Sequence, residues 1–77
     1  MKITYDPEAD ALYIGLRKVQ ATDSIDVEEG VVADLDKDGH IIGFEVLDAS
    51  KCLSPDELCE LSYENLVSEK KTALKLP

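Results

Sequence analysis

Tryptophan is absent, and phenylalanine, histidine and methionine occur once each. The lone histidine, His40, lies on a tight turn 12 residues before Cys52, so neither a Cys/His zinc set nor a histidine-based catalytic pair is expected. Only two cysteines are present, Cys52 and Cys59. Their C-x6-C spacing matches neither a zinc nor a redox motif, so both are expected as free, partly buried thiols. Apolar runs stop at three or four residues, against the roughly 20 needed to cross a bilayer. The start, Met1-Lys2-Ile3-Thr4-Tyr5-Asp6, has no apolar stretch of the signal-peptide kind, which points to a cytoplasmic address. Glycine-rich phosphate loops and internal repeats are missing. Basic residues are scarce as well: 8 against 17 acids among 77 residues, a formal net charge of -9. Phosphate backbones call for a positive stripe, so nucleic acid is excluded as a partner.

At 44% hydrophobic the chain is no acidic disordered tail. Its length suits one small domain, 1–77, whose core alone supplies only about 3–5 kcal/mol. A homo-oligomer or a partner protein is the natural supplement. Residues 2–5 are β-prone, and Asp6-Pro7-Glu8-Ala9-Asp10 reads as a turn. Leu12, Ile14 and Leu16 alternate with Tyr13, Gly15 and Arg17, the mark of a half-buried strand. Tyr5 and Tyr13 are expected to pack across this first hairpin.

Alternation returns at Ser24–Glu28, with Ile25 and Val27 on one face. It returns again at Val31, Ala33 and Leu35, with Asp34 and Asp36 toward solvent. Ile42, Phe44 and Val46 then alternate with Gly43 and Glu45. Glu29-Gly30 and Asp38-Gly39 mark the turns between these strands. The expected fold is α+β: an antiparallel β-meander of about five strands over 1–51, covered by a C-terminal helix in 52–77. Ser54-Pro55-Asp56-Glu57 carries a capping serine, a proline at the first helical position and a capping-box glutamate. Leu58 and Leu61 share the helix face. Beyond residue 62 two patterns compete. A continued helix aligns Leu58, Leu61, Ser62 and Leu66, whereas Tyr63, Val67, Thr72, Leu74 and Leu76 suit two strands around Ser68-Glu69-Lys70. A short helix followed by a C-terminal hairpin or extended tail is the preferred expectation.

One motif resembles chemistry. Asp34-x-Asp36-x-Asp38-Gly39-x-Ile41-x-x-x-Glu45 matches the spacing of an EF-hand calcium loop. An EF-hand needs flanking helices, but Glu28-Glu29-Gly30-Val31-Val32-Ala33 precedes it at strand period, and Gly43 and Val46 follow where a second helix should begin. A β-hairpin with acids on its outer face is expected instead, with weak cation association at most. Asp6, Glu8 and Asp10 are expected to serve the first turn, and His40 to be exposed. No catalytic, cofactor-binding or metal-ligating residue is assigned, and no enzyme is expected.

Three stretches together carry a resemblance: Tyr5-Asp6-Pro7-Glu8-Ala9-Asp10-Ala11-Leu12-Tyr13-Ile14, then residues 32–47 (VADLDKDGHIIGFEVL), then Asp48-Ala49-Ser50-Lys51. They resemble domain-of-unknown-function family 2283, short acidic bacterial and archaeal proteins. The resemblance covers roughly residues 1–51. It implies a small β-rich domain with a helix and a hairpin at the Asp-rich loop. It also implies a place in small gene pairs resembling toxin–antitoxin modules, and it carries over no catalytic residues. The functional expectation is a protein-interaction module, an antitoxin-like neutraliser of a basic protein partner. The alternative is a homodimeric domain with a small-molecule or weak cation site at its interface or at the Asp-rich hairpin.

Overall fold

A computed structural model describes residues 1–67. Five strands form one antiparallel sheet: β1 (Lys2–Asp6), β2 (Ala11–Gly15), β3 (Asp23–Glu28), β4 (Val31–Leu35) and β5 (Ile41–Leu47). A single 3-10 turn at Ala49–Lys51 and a one-and-a-half-turn helix α1 (Pro55–Cys59) follow. The five strands fall where the alternation places them. Their order is β1-β2-β5-β4-β3, so only β3, β4 and β5 form a true meander. β2 pairs with β5, not β3.

Two features of the sequence account for this order. β5 (IIGFEVL) is the longest and most apolar strand and takes the centre, where both its edges are paired. β3 (DSIDVE) carries two aspartates and a glutamate and takes an outer position, where charges discourage further pairing. Residues 16–22 cross from the end of β2 to the start of β3. Their start is held by the Leu16 and Arg17 amides, which donate to the Ile42 carbonyl at 2.8 and 3.3 Å.

The register defines two faces. On one, Ile3, Ile14, Phe44, Ala33 and Ile25 lie in a continuous row across all five strands, and Tyr5, Leu12, Val46 and Val31 form a second row. Ala33, Ile42 and Ala49 are fully buried. On the other face, Gly15, Gly43, Asp34 and Ser24 form one row, and Thr4, Tyr13, Glu45, Val32 and Asp26 the next. Tyr5 and Tyr13 therefore lie on opposite faces and do not pack together: Tyr5 pairs with Leu12 and Tyr13 with Thr4.

The helix begins as its sequence signals require. The Ser54 hydroxyl accepts from the Glu57 amide at 3.2 Å, and the Glu57 carboxylate accepts from the Ser54 amide at 2.8 Å. It ends after five residues, shorter than expected for a helix meant to cover a sheet face. Leu53, Leu58 and Leu61 border the β1–β2 half of the apolar face, leaving a groove of about 390 Å³ above Ile3, Tyr5, Leu12 and Ile14. Among the described residues the β3 end has no such cover, and Ile25 and Val27 are 49% and 54% exposed. Residues 60–67 form neither helix nor strand, and the turn expected at Ser68-Glu69-Lys70 lies outside the described residues. Cys52 and Cys59 are free, as expected, but both are exposed, because α1 is too short to bury either end. Among the described residues no helix is long and apolar enough to cross a membrane.

Candidate functional site

The acids of this chain divide into those that build turns and those that remain available. Asp6 belongs to the first group. Its carboxylate accepts from the Glu8 and Ala9 amides at 3.0 and 3.4 Å, a side-chain turn that closes β1 onto β2. Asp10 ties the same turn to the end of the sheet. It adopts a left-handed backbone (φ 52°) and accepts from the Tyr5 hydroxyl at 2.7 Å, the Ser50 amide at 3.0 Å and the Ser50 hydroxyl at 2.6 Å. Its own carbonyl accepts from the Ala49 amide at 2.9 Å. The Ser50 hydroxyl bond, followed by the one from Tyr5, holds the Asp10 carboxyl below its ordinary range.

Asp36 is the counterpart at the β4–β5 hairpin, and it corrects the expectation that it faces solvent. It is 8% exposed. One oxygen accepts from the Asp38 and His40 amides, each at 2.9 Å, and the other pairs with the Arg17 guanidinium at 3.0 Å. The His40 amide bond is the main influence holding its carboxyl low, aided by the Asp38 amide and the charges of His40 and Arg17. The strand ends at Leu35, so Asp36 turns inward under the loop instead of continuing the outward row. Gly39, at φ 84°, supplies the left-handed residue the turn needs, and His40 is exposed.

This geometry takes apart the EF-hand spacing. Asp34 projects from the sheet face, Asp36 is occupied by backbone amides, and Asp38 is exposed at the loop tip. Among the described residues no three acids, histidines or cysteines are placed to hold a metal ion.

What remains is the polar face. Asp34 stands beside Gly43, and Glu45 stands one pair further along β5 beside Val32. The adjacent Asp34 side chain, partial burial and the Asp34 charge all raise the Glu45 carboxyl above its ordinary range. Asp26, in register with Val32, adds a third acid on the same face at the outer strand. Tyr13 borders the cluster. Its ring lies over Gly15 and Gly43, where any β-carbon would meet it at 2.9 Å or less. The two glycines thus form a floor that lets an aromatic ring lie flat on the sheet beside the acids.

A family model described as "Protein of unknown function (DUF2283)" matches residues 2–50. The chain belongs to that family. Searches among curated proteins and among solved structures found no match. The family's span is physically coherent in this chain. It holds all five strands and ends at Ser50, the residue that locks Asp10, so α1 and the C-terminal residues lie outside it. The stretches that carried the resemblance, around residues 5–14 and 32–51, are those that build the Asp10 and Asp36 turns and supply Tyr13 and Gly43. In this chain Asp6, Asp10 and Asp36, within the matched span, are structural. Asp26 was not singled out by sequence reasoning, because it becomes part of the acidic face only through the β3–β4 register.

The raised Glu45 carboxyl has a measurable consequence. A carboxyl raised in the folded state imposes a penalty that is absent below its unfolded value, near 4.5, and develops as pH rises through the higher folded value. Glu45→Gln should therefore stabilise the protein at pH 7 by about 0.2–1 kcal/mol, the scale of a cross-strand charge contact. The gain should vanish at pH 4. Thermal melts of both proteins at the two pH values test this.

Proposed function

We propose that this protein is a protein-interaction module whose acidic sheet face and outer strand β3 receive a basic segment of a partner protein. The supporting observation is the Asp34–Glu45 pair, set beside Asp26 at an unpaired sheet edge. Two neighbouring carboxyls are an electrostatic liability for folding. A lysine or guanidinium laid between them removes the repulsion. β3 offers the backbone complement: among the described residues its outward amides and carbonyls have no strand partner, so a partner segment can add as a strand. Ile25 and Val27, both half exposed, add apolar contact. Charge complementarity of this kind speeds association and makes it salt-sensitive. A neutraliser of a basic toxin-like protein, a homo-oligomeric assembly and a cytoplasmic setting all fit this reading. No catalytic role is part of it.

Native mass spectrometry of the protein isolated from its own cell lysate provides the test. A stoichiometric basic partner should be retained at about 50 mM salt and lost near 500 mM, where screening shortens to a few ångströms. Asp26→Lys should abolish its capture. A partner held equally by Asp26→Lys and at high salt would sink the proposal.

A further inference from the structure

The C-terminal end of the chain has the chemistry that β3 is argued to receive. Residues 68–77 carry three lysines against one glutamate, whereas the first 67 residues carry five basic residues against sixteen acids. Within the end segment the sequence alternates: Thr72, Leu74 and Leu76 in one set, Lys71, Ala73 and Lys75 in the other. β3 has the matching alternation. Ile25 belongs to the apolar row, and Ser24 and Asp26 belong to the acidic face. A strand of the 71–76 pattern laid along β3 sets its leucines beside Ile25 on the apolar side and its lysines beside Asp26 on the acidic side. Opposite charges on neighbouring strands support such pairing, as do apolar contacts on the same face.

The placement of residues 61–67 favours an occupant from a second copy. Leu61 lies by Ile3, Tyr5, Leu12 and Ile14, at the β1–β2 end of the sheet. β3 is the opposite edge, four strand spacings or about 19 Å away. To serve its own β3, the chain would have to cross the apolar face and bury the apolar residues it carries across. Leu61, Tyr63, Leu66 and Val67 are instead 48–81% exposed, so residues 61–67 are not laid over the sheet. We propose that the protein forms a two-fold dimer in which residues 71–76 of each copy add to β3 of the other. A closed two-fold exchange pairs the β3 edge of both copies at once. This rests on the reading of β3 as a receiving edge for basic strands. It adds that the chain's own end competes with a partner there, so partner binding and dimerisation exclude one another.

Sedimentation equilibrium of the full 77-residue chain, alone and with reductant present, tests the exchange. The wild type should be dimeric at tens of micromolar in about 50 mM salt. Asp26→Lys and Lys75→Glu should each weaken the dimer roughly tenfold, because each change alters both equivalent contacts. The combined variant should recover to within about threefold of wild type, since the pair is restored with signs reversed. Far-UV circular dichroism confirms that each variant is folded. A monomer at all concentrations overturns the proposal, and so does a dimer indifferent to both changes or one the combined variant fails to restore. The partner reading is separable, because Lys75→Glu should leave capture of a basic partner intact or improved.

Discussion

Replacing Gly43 with alanine should be the most damaging small substitution in the sheet. A β-carbon at this position would meet the Tyr13 hydroxyl at 2.5 Å and the Ile14 carbonyl oxygen at 2.9 Å. The tyrosine can swing aside, but the carbonyl belongs to the neighbouring strand and moves only if β2 and β5 separate. Overpacking of this kind costs about 1–3 kcal/mol. For a domain with so little to spare, that is a large share of its total stability. Thermal melts followed by far-UV circular dichroism should show a midpoint lowered by roughly 10 °C or more. Gly43→Ala combined with Tyr13→Ala should recover only part of the loss, because the clash with the Ile14 carbonyl persists. Full recovery would show that the tyrosine alone sets the requirement for glycine.

Asp36→Ala should have the second-largest effect. It strips the Asp38 and His40 amides of their acceptor and leaves the Arg17 guanidinium without its partner. A fall in melting temperature of roughly 10 °C is expected at pH 7. Asp36→Asn should cost clearly less, since its amide oxygen still accepts from the two backbone amides and only the ion pair is lost. The pH dependence has a definite sign. The Asp36 carboxyl is held below its ordinary 3.8 in the folded protein, so its contribution is complete above that value and disappears as pH falls through the lower folded one. Asp10 behaves in the same way. The wild type should therefore lose stability steeply below about pH 4, and Asp36→Ala should show a shallower decline. Parallel acid titration curves for the two proteins would contradict this account.

Strands and turns were legible in the sequence because alternation and Asp-Gly or Glu-Gly pairs are local signals. The capping box at Ser54-Pro55-Asp56-Glu57 was legible for the same reason: its parts lie within four residues. Strand order was not, because the choice of β5 over β3 as the neighbour of β2 depends on which strand best fills a centre, a comparison between distant segments. The length of α1 also escaped, since Leu58 and Leu61 fit a longer helix equally well. Asp36 illustrates the limit at a single residue. Its parity placed it with Asp34 on the outer face, but the strand ends one residue earlier, and the carboxylate turns inward to serve the hairpin. The acidic face was visible as composition and not as a site. Asp26, Asp34 and Glu45 come together only when three strands are set in register.

The central place of β5 also orders events during synthesis. β2 is complete at Gly15, yet its partner strand ends at Leu47, 32 residues later. At about 5–20 residues per second the ribosome needs on the order of 2–6 s to supply it. Until then the nascent chain holds a first hairpin with one unmatched strand, and pairing it requires a long-range closure. A strand partner arriving from another chain during that interval would meet the edge of β2, which the finished protein never displays.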